Sequence, residues 1–290
     1  MAISFTLLRT FHAVAETRGF TAAARMLGIG QPTVTTQIQE LEAAHAVELF
    51  ARSGRRVELT EAGTALFSVT RRLVGLREEA EEVLRTHGLL DVGSLRFAAV
   101  GPFHATEIIA EFKRAFPRMS VSVVLGNSEQ TLQRVIELDA DVGLFAHVTA
   151  DPRLHTVPYR THRVVAFVGR THPWFRRRRV QLRELATQPL VYREKGSTTR
   201  RAFETALSEA GLSVEPVLEI GSREGVWKAV ERGLGISVVA DFEFVPHPNL
   251  RVLEIADAVI RTEYRLACLK DRDDSPKIRA FLDVAGRMNA

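Results

Sequence analysis

The spacing of apolar residues changes near residue 90, and that change fixes what the chain can fold into. Before it, apolar residues recur every three or four positions, the signature of helices with one buried face; after it, short apolar runs alternate with helical stretches. The seam is Thr86-His87-Gly88. With 290 residues, 46% hydrophobic and 26% charged, the chain can bury more than one core. No apolar run approaches the roughly 18 residues needed to span a bilayer. The opening MAISFTLLRTFH also lacks the order of charged, apolar and small-residue segments of a signal peptide, so a cytoplasmic protein with no membrane partner is expected. The single cysteine, Cys268, can form neither an internal disulfide nor a cysteine metal cluster, and reads as a small strand hydrophobe.

Within the helical part, Phe5, Leu7, Leu8, Phe11, Val14 and Ala15 form the first buried stripe. Arg18-Gly19-Phe20 breaks it, Thr21 reads as the N-cap of a short helix Ala22 to Leu27, and Gly28 as its stop. Gln31-Pro32 starts the next helix, with proline placed at the first helical position. Val34, Ile38 and Leu41 are its buried stripe, and Thr33, Thr35, Thr36, Gln37, Gln39 and Glu40 its polar face. Leu49 to Leu59 reads as a two-strand ribbon turning at Ser53-Gly54. Thr60 then caps a helix from Glu61 to about His87, whose stripe Ala62, Leu66, Val69, Leu73, Leu76, Ala80, Val83 and Leu84 is too long for one exposed helix to bury alone. A partner helix, most simply from a second copy, is expected.

After Gly93 the order is strand (94–100), helix (106–116), strand (121–125), helix (129–138), strand (140–146), which predicts a parallel, doubly wound sheet. A second set of strands and helices runs from Val164 to Ala240, and Tyr264 to Lys270 and Ser275 to Met288 close the chain as strand and helix. The expected fold is α/β overall: an all-α winged helix–turn–helix over 1–60, a dimerising linker helix over 61–90, and a two-lobed, doubly wound α/β domain over 91–290. Lobe I takes 91–162 and 263–290 and lobe II 163–262, with crossovers near Ala146 to His162 and Ile260 to Glu263.

Two short helices joined by Gly28-Ile29-Gly30, the second displaying glutamine and threonine, suit an element that reads base edges in the major groove of double-stranded DNA. Arg52, Arg55 and Arg56 on the adjoining ribbon suit phosphate or the minor groove. The segment FTAAARMLGIGQPTVTTQIQELEAAHAVELFARSGRRVELTEAG resembles the winged helix–turn–helix of LysR-type transcriptional regulators, and the resemblance extends through the linker helix to a two-lobed domain of the periplasmic-binding-protein type. It implies a dimer or tetramer that binds promoter DNA under control of a small molecule held between the lobes. It also implies DNA contacts from Thr21, Gln31, Pro32, Thr33, Thr35, Thr36, Gln37, Arg52, Arg55 and Arg56. One departure is Glu40 and Glu42 where such regulators often carry a basic residue, which puts phosphate contacts at that end of the helix in question.

Ligands of doubly wound sheets sit beyond the carboxyl ends of strands, where helix N-termini present free N–H groups. Three segments fall there: Gly101-Pro102-Phe103-His104, Gly126-Asn127-Ser128, and Glu194 to Arg200, which joins Gly196, the hydroxyls of Ser197, Thr198 and Thr199, and two cations. The candidate effector residues are Gly101, Phe103, His104, Asn127, Ser128, Ser197, Thr198, Thr199 and Arg200 for an anion, with Glu224 for an ammonium group. These segments resemble a subgroup associated with aminoethylphosphonate catabolism, which makes a phosphonate the candidate effector. A cytosolic small-molecule-binding protein without specific DNA recognition is the competing reading, and an enzyme would need a pair such as His104 with Glu224. No metal-ligand spacing among the histidines, nucleophile elbow, phosphate loop or dinucleotide motif is present, so no catalytic residue, metal or cofactor is expected. The run Arg176 to Arg179 reads as a solvated surface.

Charge is divided unevenly. Residues 1–90 hold ten Arg, no Lys and ten Glu, so the net charge of +4 belongs to residues 91–290. The basic balance is therefore not the footprint of the helix–turn–helix, and it fits an anionic ligand in the second part.

Overall fold

The structure, a computed structural model, describes residues 3–53, 56–86, 93–146 and 151–288. The chain divides into two compact units, Met1–Leu89 with Glu137–Asp139, and Leu90–Ile136 with Ala140–Ala290. Among the described residues no helix is long and apolar enough to cross a membrane.

In the first unit, α1 (Phe5–Thr17) is capped by Ser4, whose hydroxyl accepts from the Thr6 amide. Arg18 then turns left-handed at φ 52°, and α2 (Phe20–Leu27) starts at once from the extended Gly19. Thr21 is thus inside the helix and is not its cap: the two-residue break leaves room for the helix to begin two residues earlier, at Phe20. Gly28 stops α2 at φ 68°, where a β-carbon would be strained, and its N–H closes on the carbonyls of Ala24 and Arg25. Helix α3 (Gln31–His45) starts at Gln31 with Pro32 second, since Gly30 is the cap. Val34, Ile38 and Leu41 pack with Phe11, Val14, Ala23 and Leu49 in one core. Strands β1 (Phe50–Ser53) and β2 (Arg56–Leu59) pair antiparallel with Ser53 opposite Arg56, and the expected turn at Ser53-Gly54 falls in part outside the described residues. Thr60 caps α4 (Glu61–Thr86) by accepting from the Gly63 amide at 3.0 Å. Ala62, Leu66 and Phe67 join the core, while Val69 and Leu76, seven apart, are more than half exposed.

The second unit is a mixed sheet with helices around it: the expected parallel β-α-β-α-β segment is present, and antiparallel strands extend it. Strands β3 (Gly93–Ala99), β4 (Met119–Leu125) and β5 (Val142–Ala146) are parallel, with β3 central, because helices α5 (Pro102–Ala115) and α6 (Ser128–Ile136) return the chain to the same end. The passages between the lobes run through strand. β6 (Leu154–Gly169) runs sixteen residues through both lobes, and β12 (Arg261–Leu269) pairs antiparallel with it and with β5. Two long strands side by side give the lobes a shared backbone that a loop could not supply. Lobe II adds β7 (Arg179–Val180), β10 (Ser237–Ala240) and β11 (Leu250–Ile255) to that sheet, a separate parallel pair β8 (Val191–Arg193) and β9 (Leu218–Ile220), and helices α7 (Leu182–Leu185), α8 (Thr198–Glu209) and α9 (Arg223–Glu231). A turn of 3₁₀ helix, Asp241–Glu243, follows β10, and α10 (Pro276–Arg287) packs Ile278, Phe281 and Ala285 into the lobe I core.

Candidate functional site

Two surfaces carry the polar residues singled out from the sequence. On α3, Gln31, Pro32, Thr33 and Thr36 are exposed, and Thr35 and Gln37 half-buried. Thr35 and Thr36 donate back to the carbonyls of Gln31 and Pro32, at 3.1 and 3.0 Å, which leaves their oxygens able to accept. The Gln31 amide oxygen accepts from Thr21 at 3.3 Å, so Thr21 braces the first turn of α3 from the neighbouring helix. Gln37 is different. Its amide oxygen accepts from Thr10 on α1 at 2.6 Å, which ties it inward and leaves its NH₂ as the free end. The acidic departure resolves in part: Glu42 accepts from the amides of Leu49 and Phe50, at 2.8 and 3.3 Å, and so anchors the ribbon to α3. Arg52 and Arg56 occupy strand positions next to the turn, and Arg55 lies outside the described residues.

The second surface is the junction of the lobes. Four helices begin there: α5 after Gly101, α6 at Ser128, α8 after Ser197 and α9 after Ser222. Ser128 and Thr198 hydroxyls meet at 2.9 Å across the lobes, both buried, and Ser128 also donates to the Ala146 carbonyl. The Asn127 amide donates to Glu194 at 3.4 Å, and a β-carbon on Gly196 would lie 2.5 Å from it, so glycine at 196 lets the Asn127 side chain sit close here. Arg223 reaches Val100 and Gly101 of lobe I: its guanidinium is 3.5 Å from the Val100 carbonyl and 2.9 Å from where a Gly101 β-carbon would be.

Phe167, Arg193, Ser197, Thr199, Arg223, Trp227 and Glu243, all of lobe II, are among the residues lining a cavity of about 20 Å³, room for roughly one water, so a larger ligand requires these side chains to move. Glu243 is buried and bonded to Arg223 at 2.7 Å; burial pushes its carboxyl above the usual range, against the pull of Arg223 and Arg193. Arg193 grips Glu194 with two bonds, at 2.8 and 2.9 Å. The Trp227 indole N–H is buried with no hydrogen-bond partner among the described residues.

Several expected ligand residues stand elsewhere. Arg200 is not among the residues lining the cavity: it is buried against the Tyr192 ring and bonded to Glu204, Glu219 and the Arg193 carbonyl, two carboxylates that already balance its charge. Glu224 is exposed, and none of the bonds to His104 comes from it, so the His104–Glu224 pair is not formed. His104 lies in the first turn of α5, because Pro102 starts that helix four residues before Thr106. One of its ring nitrogens faces Glu107 at 3.3 Å and the other faces His162 at 2.8 Å, while Phe242 stacks on the ring. Burial, the largest influence, pushes the His104 imidazole down to about 4. Phe103 packs edge-on against Phe242. Arg193, Arg223, Trp227 and Glu243 were not singled out from the sequence; Arg223 and Trp227 share the cleft-facing side of α9 at i, i+4, the one local signal available.

Comparison with known proteins identifies both parts of the chain. A family profile described as the bacterial regulatory helix-turn-helix protein, lysR family, matches residues 5–64, and one described as the LysR substrate binding domain matches 85–289. The RuBisCO operon transcriptional regulator of Allochromatium vinosum is 32% identical over 299 residues, spanning 100% of this chain and 99% of its own. The transcriptional activator CmpR of Synechocystis is 30% identical over 279 residues, 94% of this chain and 91% of its own. In fold, the chain is similar to a full-length OxyR variant from Pseudomonas aeruginosa (TM-score 0.79, 19% identity, 98% and 95% covered). It is likewise similar to CbnR complexed with its target DNA (TM-score 0.75, 22% identity, 98% and 99% covered).

Proposed function

Because the chain belongs to the LysR family of DNA-binding transcriptional regulators and is not an enzyme, we propose that its effector-binding domain takes a small anion between the lobes and that occupancy alters operator binding. The observation that carries this reading is the convergence of the Ser197 and Thr199 hydroxyls, the Arg223 guanidinium and the unpartnered Trp227 indole on one cavity at helix N-termini. A carboxylate, phosphate or phosphonate fits these donors, aminoethylphosphonate among them. Gly101, Phe103, Asn127, Ser128 and Thr198 then line and position the closing lobes, with Ser197 and Thr199 on the ligand.

On the DNA side, Gln31, Thr33 and Thr36 read base edges, Thr21 holds Gln31, Thr35 and Gln37 flank them, and Arg52, Arg55 and Arg56 meet the backbone or minor groove. The working division is a DNA-binding domain over 1–60, a linker helix over 61–90 that dimerises through Val69 and Leu76, and the effector domain over 91–290, acting as a cytoplasmic dimer or tetramer. A thermal-shift screen of small carboxylates, phosphates and phosphonates tests the cleft, since a binder stabilises the full chain by RT ln(1 + [L]/Kd). Stabilisation that Arg223→Gln abolishes supports the reading; stabilisation untouched by Arg223→Gln, or none with any anion, refutes it.

A further inference from the structure

Charge accounting in the cleft narrows the ligand further, on the reading that the cleft is the effector site. Every cation that faces the cavity already holds a carboxylate: Arg193 holds Glu194, and Arg223 holds Glu243. The two acids are unequal. Glu194 is partly exposed, whereas the Glu243 side chain is 3% exposed and has Arg223 as its one ion-pair partner among the described residues, with the Tyr264 hydroxyl donating at 3.4 Å. A simple anion that drew Arg223 onto itself would strip the partner from a buried carboxylate, the costly way to break a buried pair. Either Glu243 takes up a proton, or the ligand brings a positive charge of its own.

We propose that the cleft takes a small zwitterion, its oxyanion on Arg223, the Trp227 indole N–H and the Ser197 and Thr199 hydroxyls, and its ammonium group on Glu243. Such a ligand replaces the Arg223–Glu243 contact with two contacts of the same charge balance and leaves no buried ion alone. The Trp227 N–H, buried and without an acceptor, gains one. Glu243 is then the residue that sets specificity, in the role the sequence assigned to Glu224, and it enters the cleft from the 3₁₀ turn after β10.

Matched probes test this with the full chain at neutral pH: 2-aminoethylphosphonate against ethylphosphonate, and β-alanine against propionate, each pair differing by the ammonium group. Titration calorimetry should show the ammonium-bearing member of the binding pair at least about tenfold tighter, and Glu243→Gln should erase that gap by weakening the zwitterion. A second measurement needs no variant. Run in buffers of different ionisation enthalpy, the zwitterion should bind without proton uptake, and any weak binding of the simple anion should take up close to one proton. Equal affinities within each pair, with Glu243→Gln changing neither and no proton uptake, would overturn the inference while leaving the anion cleft standing. Failure of all four probes to bind wild type would overturn both.

Discussion

The two functional surfaces handle polar groups in opposite ways. On the N-terminal half of α3 the exposed side chains are neutral, mostly amides and hydroxyls, and among the described residues no ion pair involves that helix. At the lobe junction the charged groups around the cavity, Arg193 with Glu194 and Arg223 with Glu243, each already hold another. DNA therefore adds contacts to a surface that is complete without it, and discrimination comes from which base edges match the donors. An effector must exchange with ion pairs that line the cavity, so its charge pattern matters as much as its shape. The contrast also locates tolerance: the DNA surface depends on the frame beneath it, the cleft on the balance within it.

That contrast can be attacked first through the frame. A β-carbon on Gly63 would lie 2.0 Å from the Leu49 carbonyl oxygen, a backbone clash that no rotamer relieves. Gly63→Ala should destabilise the first unit by about 3 kcal/mol, read by denaturant unfolding, and abolish operator binding while ligand binding to the second unit persists. Retained DNA affinity would show that the ribbon and α4 need not meet so closely.

Acid should press on both units alike. Burial is the leading influence on His12, between α1 and α4, and on His104, and each imidazole is pushed down to about 4 from an ordinary 6.5. Unfolding returns these groups to water, so the unfolded chain binds more protons in that window. Stability is thus fully present above pH 6.5, falls as pH drops below it, and levels off near 4, by up to about 3 kcal/mol per group. His104→Phe should flatten this loss for the second unit and leave the first unit's loss in place; an unchanged profile would remove His104 as a contributor.

Substitutions on the DNA surface should be milder and cleaner. Gln31→Ala and Thr33→Ala should each lower the preference for operator over scrambled duplex by about 1–3 kcal/mol with unfolding unchanged, measured by fluorescence anisotropy. The smallest effect belongs to Gly196→Ala, where the added methyl meets the Asn127 side chain, which can move. About 1 kcal/mol of lost stability and a more open cleft are expected by calorimetry and solution scattering.

The same contrast explains what could be read in the sequence. The recognition surface is local: the stripe Val34, Ile38, Leu41 and the Gly28 stop lie within fourteen residues, and helical periodicity places them. The cleft is assembled from afar. Arg223 and Glu243 are twenty residues apart and meet Gly101 and Tyr264 only through the long strands β6 and β12, which carry no local mark of crossing both lobes. Some errors had signals. Arg200 sits four residues before Glu204 on a helix, the spacing of an internal pair, and Pro102 announces the start of α5 that moved His104 into a helical turn.

The central claim is that the lobe junction and α3 are thermodynamically linked, and linkage is reciprocal. The most direct test measures the affinity of 2-aminoethylphosphonate for the full chain alone and saturated with a duplex selected by the protein from random sequence, and then the duplex affinity with and without the ligand. The account predicts that both affinities change by the same factor. A ligand affinity identical with and without bound duplex would contradict it.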